Sequence, residues 1–106
     1  MRTAPTLFDT IWRDHVVAPL DADTDLVAVD RHFVHEVSSA EAFRQLAASG
    51  RAIARSGQTF AVQDHIVSTR PGRDARTFPA GTELIEFLER NCRDADIPLF
   101  GLGDPR

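Results

Sequence analysis

The sequence predicts an α/β fold: a short, mostly parallel sheet with helices packed on it, in a single domain spanning 1–106. Three observations predict it. Apolar residues recur at helical spacing in three segments, short apolar runs of strand length alternate with them, and two of those runs end in clusters of ionisable residues. A chain of 106 residues is the size of one domain and too short for two ordinary ones.

The elements follow in order. Thr6 with Asp9 three residues later forms a capping-box start, and Leu7, Phe8, Ile11 and Trp12 continue it as an amphipathic helix ending near His15. Pro19 to Asp25 is polar and turn-like. The run Leu26 to Val34 opens as the unbroken apolar stretch of a buried strand and ends in Asp30, Arg31, His32, His35 and Glu36. Ser38 and Ser39 are expected to cap the next helix, with Glu41 completing a capping box, Phe43, Leu46 and Ala47 on its apolar side, and Gly50 as its stop. Gln58 to Val62 reads as a second strand that runs straight into Gln63, Asp64 and His65. Pro71–Gly72 marks a turn within a loop over 70–77. Leu84, Ile85, Phe87, Leu88 and Cys92 give a third helix its apolar face, and Ile97 to Phe100 suits a last strand. No internal repeat, low-complexity stretch or domain boundary interrupts the pattern. About three strands make a small sheet, so a homodimer or a hetero-complex is expected.

Composition narrows the function. The balance is acidic, at a formal charge of -4, which argues against a surface that tracks nucleic-acid phosphates, although Arg70, Arg73 and Arg76 form a local basic patch. No run approaches the length of a membrane-spanning helix, and the first residues lack a secretory pattern, so a cytoplasmic location is the expectation. All 12 basic residues are Arg, which removes Schiff-base and P-loop lysine chemistry. The 1 cysteine, Cys92, excludes an internal disulfide, an all-cysteine zinc site and an iron–sulfur cluster ligated by one copy of this chain. Its place on the apolar side of a helix makes it a core residue.

The chemistry concentrates at the strand tips, where parallel α/β sheets bind ligands. Asp64 beside His65 can orient the imidazole and raise its proton affinity for acid–base work, provided the chain bends there, because adjacent strand residues face opposite ways. His32 and His35 are three apart, so on a strand they diverge. No metal ligand set is expected from them. Arg31 can clamp a carboxylate or pair with Asp30 or Glu36. His15 suits a helix C-terminal cap.

The motifs then add a resemblance. Thr6-Leu-Phe-Asp-Thr-Ile-Trp-Arg-Asp-His-Val-Val17, Val29-Asp-Arg-His-Phe-Val-His-Glu-Val-Ser-Ser39, Thr59-Phe-Ala61, Asp64-His65, Asn91-Cys92 and Asp104-Pro-Arg106 resemble, in order, the opening of the large subunit of 3-isopropylmalate dehydratase in the aconitase family. The resemblance implies a three-layer α/β/α unit and a hydro-lyase heritage tied to leucine biosynthesis. It assigns proton handling to Asp64 and His65, and places His35, Glu36 and Ser38 in the active-site loop. It also implies a [4Fe-4S] cluster whose cysteines have no counterpart in this chain. One departure stands beside the dyad, where Ile66-Val-Ser-Thr69 replaces the usual Asn-Val-Pro-Thr.

Three readings follow. The chain is a shortened, cluster-free hydro-lyase acting on a small carboxylic acid, with Asp64, His65 and His35 catalytic and Arg31, His32, Glu36, Ser38 and Arg70 lining the pocket. Alternatively, it is the N-terminal part of a dehydratase whose partner chains carry the [4Fe-4S] cluster. As a third reading, it is a non-catalytic binding or regulatory remnant.

Overall fold

The computed structural model describes residues 4–74 and 77–106, so Arg76 of the basic patch lies outside the described residues. The chain divides into two compact units, the first ending at Asp30 and the second starting at Arg31.

In the first unit, α1 (Leu7–His15) starts where the sequence places it. Asp9 N–H donates to Thr6 Oγ1 at 3.1 Å and Thr6 N–H donates to Asp9 Oδ2 at 2.7 Å, which closes the capping box. An antiparallel hairpin follows, β1 (Val16–Pro19) against β2 (Asp25–Val27). Trp12 Nε1 donates to Asp25 Oδ2 at 2.7 Å and ties the helix to this hairpin. His15 has an acceptor at each ring nitrogen, Ile11 O at 2.7 Å and Asp30 Oδ2 at 3.1 Å. The hydrogen bond to Ile11, then the one to Asp30, raise its pKa above the ordinary histidine value, because only the imidazolium donates to both.

The single buried strand expected over Leu26 to Val34 is not what forms. Leu26 and Val29 are exposed, the apolar run ends in the hairpin, and the chain re-enters a strand only at His32. An apolar run carries no marker of which sheet it joins, and here the unit boundary falls inside it.

The second unit holds the parallel sheet. Strand β3 (His32–His35) leads into α2 (Glu36–Ala48), then into a short 3-10 turn and the central strand β4 (Thr59–Val62). After the loop, a Pro79–Gly81 turn opens α3 (Thr82–Asp94), and β5 (Leu99–Phe100) closes the order β3-β4-β5, all parallel. Two successive crossovers step the same way across the sheet, and α2 and α3 pack against each other on one face. On that face Val34, Ala61 and Leu99 share a row, and Ala61, Leu88, Cys92 and Ile97 form the buried core with Phe43 and Ile53 against it. The alternate positions carry Phe33, Phe60 and Phe100, with ring centroids 5.7 and 6.3 Å apart along the row. The second unit is therefore a small α/β unit whose own two helices form one layer. The second helical layer of an α/β/α arrangement is not built from these described residues.

Two local expectations change. Helix α2 starts earlier than Ser38: its N-cap is His35, whose Nδ1 accepts from Val37 N–H at 3.3 Å, while Ser39 Oγ donates to His35 O. Serine is the commoner cap, but here the strand runs directly into the helix and leaves no linker for one. Gly50, by contrast, takes the left-handed conformation (φ 66) that the stop requires.

Cys92 is 2% exposed, and burial pushes its thiol up to about 11. The native protein is expected to resist alkylation by iodoacetamide at pH 8 and to react once unfolded in guanidinium. Labelling of the native chain at a free-thiol rate would contradict this packing.

Candidate functional site

The site forms because two adjacent parallel strands, β3 and β4, end side by side. His35 pairs in register with Val62, and the chain beyond Val62 bends at once through Gln63, Asp64 and His65. Three anchors hold that bend. The Gln63 amide is buried, donating to Glu89 Oε1 at 3.0 Å and accepting from Leu102 N–H at 3.1 Å, so the strand end is tied to α3 and the C-terminal segment. Glu36, the first residue of α2, is fully buried, and its carboxylate accepts from Asp64 N–H at 3.2 Å, His65 N–H at 2.6 Å and Ile66 N–H at 2.5 Å. Gly81 lets the loop approach α3: a Cβ there would sit 2.0 Å from Ile66 Cγ2 and 2.8 Å from Ile66 O.

Burial opposes ionisation of Glu36. The backbone N–H groups of Ile66, of Glu36 itself, of Asp64 and of His65 outweigh that cost and hold its pKa below the usual glutamate value. The stabilisation it brings is present above the unfolded carboxylate range and is lost as pH falls through the lowered value.

The bend turns two imidazoles face to face. The rings of His35 and His65 stack with centroids 3.9 Å apart and planes 8° from parallel. Each has one nitrogen committed. His65 Nδ1 lies 2.7 Å from Asp64 Oδ1, so it carries the proton and leaves Nε2 available. The hydrogen bond to Asp64, and then the charges of Asp64 and Glu36, raise the pKa of His65 against the opposing effect of desolvation. In His35 the polarity is reversed. Nδ1 accepts from Val37, so in the neutral ring Nε2 bears the hydrogen and donates to Ser38 Oγ at 3.2 Å. The stack thus pairs a histidine with a free acceptor and a histidine set as a donor.

The expected site residues separate into three groups. His35, Ser38, Asp64 and His65 come together. Arg70 joins them through a cleft of about 500 Å³ whose lining includes His65, Ser68, Thr69, Arg70, Thr77 and Phe78, a size suited to a small molecule. Glu36 adjoins the group, but its oxygens face backbone amides. Arg31 and His32 lie at the other end of β3, three and more residues from His35, because the whole cluster from His32 to His35 is the strand rather than its tip. Sequence reasoning missed Gln63, Gly81, Thr77 and Phe78. A buried amide or a glycine in close contact leaves no pattern in the sequence until its neighbour is known.

Among the described residues, His35, Asp64 and His65 offer ligand atoms within 4.8 Å of one another. Binding a metal through all three would cost His35 its cap bond to Val37 or require a nitrogen that already carries hydrogen.

The comparison with known proteins bears on this geometry directly. The family model for the aconitase family (aconitate hydratase) matches residues 9–105, which takes in both strand tips, the stacked histidines and the cleft. The chain belongs to the aconitase family. No solved structure matches it. Membership carries a hydro-lyase-like class, and the family typically uses an iron–sulfur cluster. The residues of this chain do not fit that group: a cluster needs several thiolates, and the 1 cysteine is buried in the core with its thiol held protonated. No described helix is long and apolar enough to cross a membrane.

The contact between Gly81 and Ile66 gives a direct test of how the loop is seated. Gly81→Ala is expected to destabilise the protein by about 1–3 kcal/mol through overpacking. Because the nearest atom is the Ile66 side chain, Ile66→Ala should recover part of that loss in a denaturant-melt double-mutant cycle. Strict additivity of the two substitutions would contradict the contact.

Proposed function

We propose that this aconitase-family chain serves the addition or removal of water on a small hydroxy-carboxylic acid, with His65 carrying the proton and Asp64 orienting it. The observation that supports this most is the exposed His65 ring, held by Asp64 at 2.7 Å on one nitrogen and opening onto the cleft. Arg70 lines the same cleft and is suited to bind the carboxylate. In the dehydration direction protonated His65 gives its Nε2 proton to the departing hydroxyl, which leaves as water. In hydration the neutral ring takes that proton from the attacking water. His35, with Nε2–H directed outward toward Ser38, supplies a donor for a substrate oxygen.

The cleft lining holds no carboxylate residue, so the proton on the adjacent carbon passes to water or to a group that a partner chain brings. This favours the second reading as a companion to the first: the chain works in a complex, as a homodimer or with a complementary dehydratase subunit. Any [4Fe-4S] cluster would then belong to the partner, as the single buried cysteine requires.

The test is turnover of a panel of small 2- and 3-hydroxy acids and their enoate products, followed by ultraviolet absorbance, with the chain alone and with a co-purified partner. The raised His65 pKa fixes the sign of the pH dependence. Dehydration should fall as pH rises through a value above 6.5, hydration should rise across the same range, and Asp64→Asn should move both limbs down in pH. His65→Ala should lower kcat by about 100-fold or more. Full turnover in His65→Ala, or limbs unmoved by Asp64→Asn, would overturn the assignment.

A further inference from the structure

The two acid–base histidines sit on different elements, His35 at the end of β3 and His65 beyond the end of β4, yet their rings are parallel and in contact. Both side chains are partly open to solvent, so packing alone does not enforce that arrangement. Among the described residues one side chain reaches from the first element to the second at this point. Glu36 follows His35 directly and accepts from the backbone N–H groups of Asp64, His65 and Ile66, three consecutive residues.

We infer that Glu36 is the positioning residue of this site: its buried carboxylate, held on the backbone of residues 64–66, sets the His65 ring over the His35 ring and Asp64 against His65. It does not touch substrate, since none of its surface is accessible. It acts through the loop backbone. Three N–H groups converging on one carboxylate fix the path of consecutive peptide planes, and with them the direction in which the intervening Cα–Cβ bonds point. The carboxylate itself is fixed because α2 starts on the preceding residue, whose ring caps the helix through Val37. One dipeptide, His35–Glu36, therefore supplies both a ring of the stack and the anchor that places the other.

The role rests on the acid–base reading for its catalytic consequence but not for its geometry, and the experiment separates the two. Glu36→Gln keeps the shape, removes the charge and turns an amide NH2 toward backbone donors. Glu36→Asp keeps the charge and retracts it by one methylene. Both are compared with wild type by circular dichroism, by ring-proton NMR titration of His65, and by kcat and KM on whichever acid the wild type turns over. In Glu36→Gln the fold should persist, the His65 titration should move to lower pH, and kcat should fall about 100-fold with KM nearly unchanged, as a displaced acid–base group demands. Glu36→Asp should restore most of the His65 titration and only part of kcat. A folded Glu36→Gln with wild-type His65 titration overturns the inference, whatever the activity. If Glu36→Gln does not fold, Glu36→Asp decides, and a wild-type kcat in it overturns the inference. A wild type that turns over no acid counts against the hydro-lyase reading alone, because the titration still tests the positioning.

Discussion

A carboxylate taken out of water is tolerated only where donors replace its hydration, and Glu36 finds them in the backbone of residues 64–66. This exchange governs the catalytic end of the molecule. The N–H groups of a sharp bend after a strand have no ladder partners of their own, and an unpaired buried amide is costly. The bend and the carboxylate therefore stabilise one another, and neither is expected to hold its shape without the other. The lowered pKa of Glu36 is the thermodynamic trace of that coupling.

From this anchor the rest of the site follows. The N-terminus of α2 orders His35, the bend orders Asp64 and His65, Gln63 ties the bend to α3, and Gly81 admits Ile66 against the start of that helix. Where the related dehydratase motif has an asparagine, Ile66 turns its side chain toward Gly81, while its N–H completes the Glu36 set. The apolar replacement is accommodated because that side chain packs on the α3 side. A family that typically relies on an iron–sulfur cluster is represented here by a chain that keeps the proton-handling histidines and lacks the thiolates.

Much of this was legible in the sequence where the signal is local. The Thr6–Asp9 capping box, the apolar face of α3, the Gly50 stop and the run of β4 into Asp64–His65 all stand where residue types and periodicity place them. Signals that depend on tertiary partners were not legible. Leu26 to Val34 reads as one strand, but its halves belong to different sheets, and this also moves Arg31 and His32 away from the tip. Ser38 has the chemistry of a cap, yet His35 takes the position because β3 runs into α2 without a linker. Glu36 sits in a polar cluster and looks solvent-facing. Only the three-dimensional path of residues 64–66 reveals that its oxygens are already occupied.

The account depends most on the contact between the rings of His35 and His65, which its anchors exist to produce. A nuclear Overhauser experiment on the wild-type protein, with both histidine rings assigned, measures that contact without reference to any substrate. Cross-peaks between ring protons of His35 and His65, with upfield ring-current shifts on both, are the predicted result at 3.9 Å separation. Two sharp, assigned rings with no cross-peak between them and random-coil shifts would contradict it.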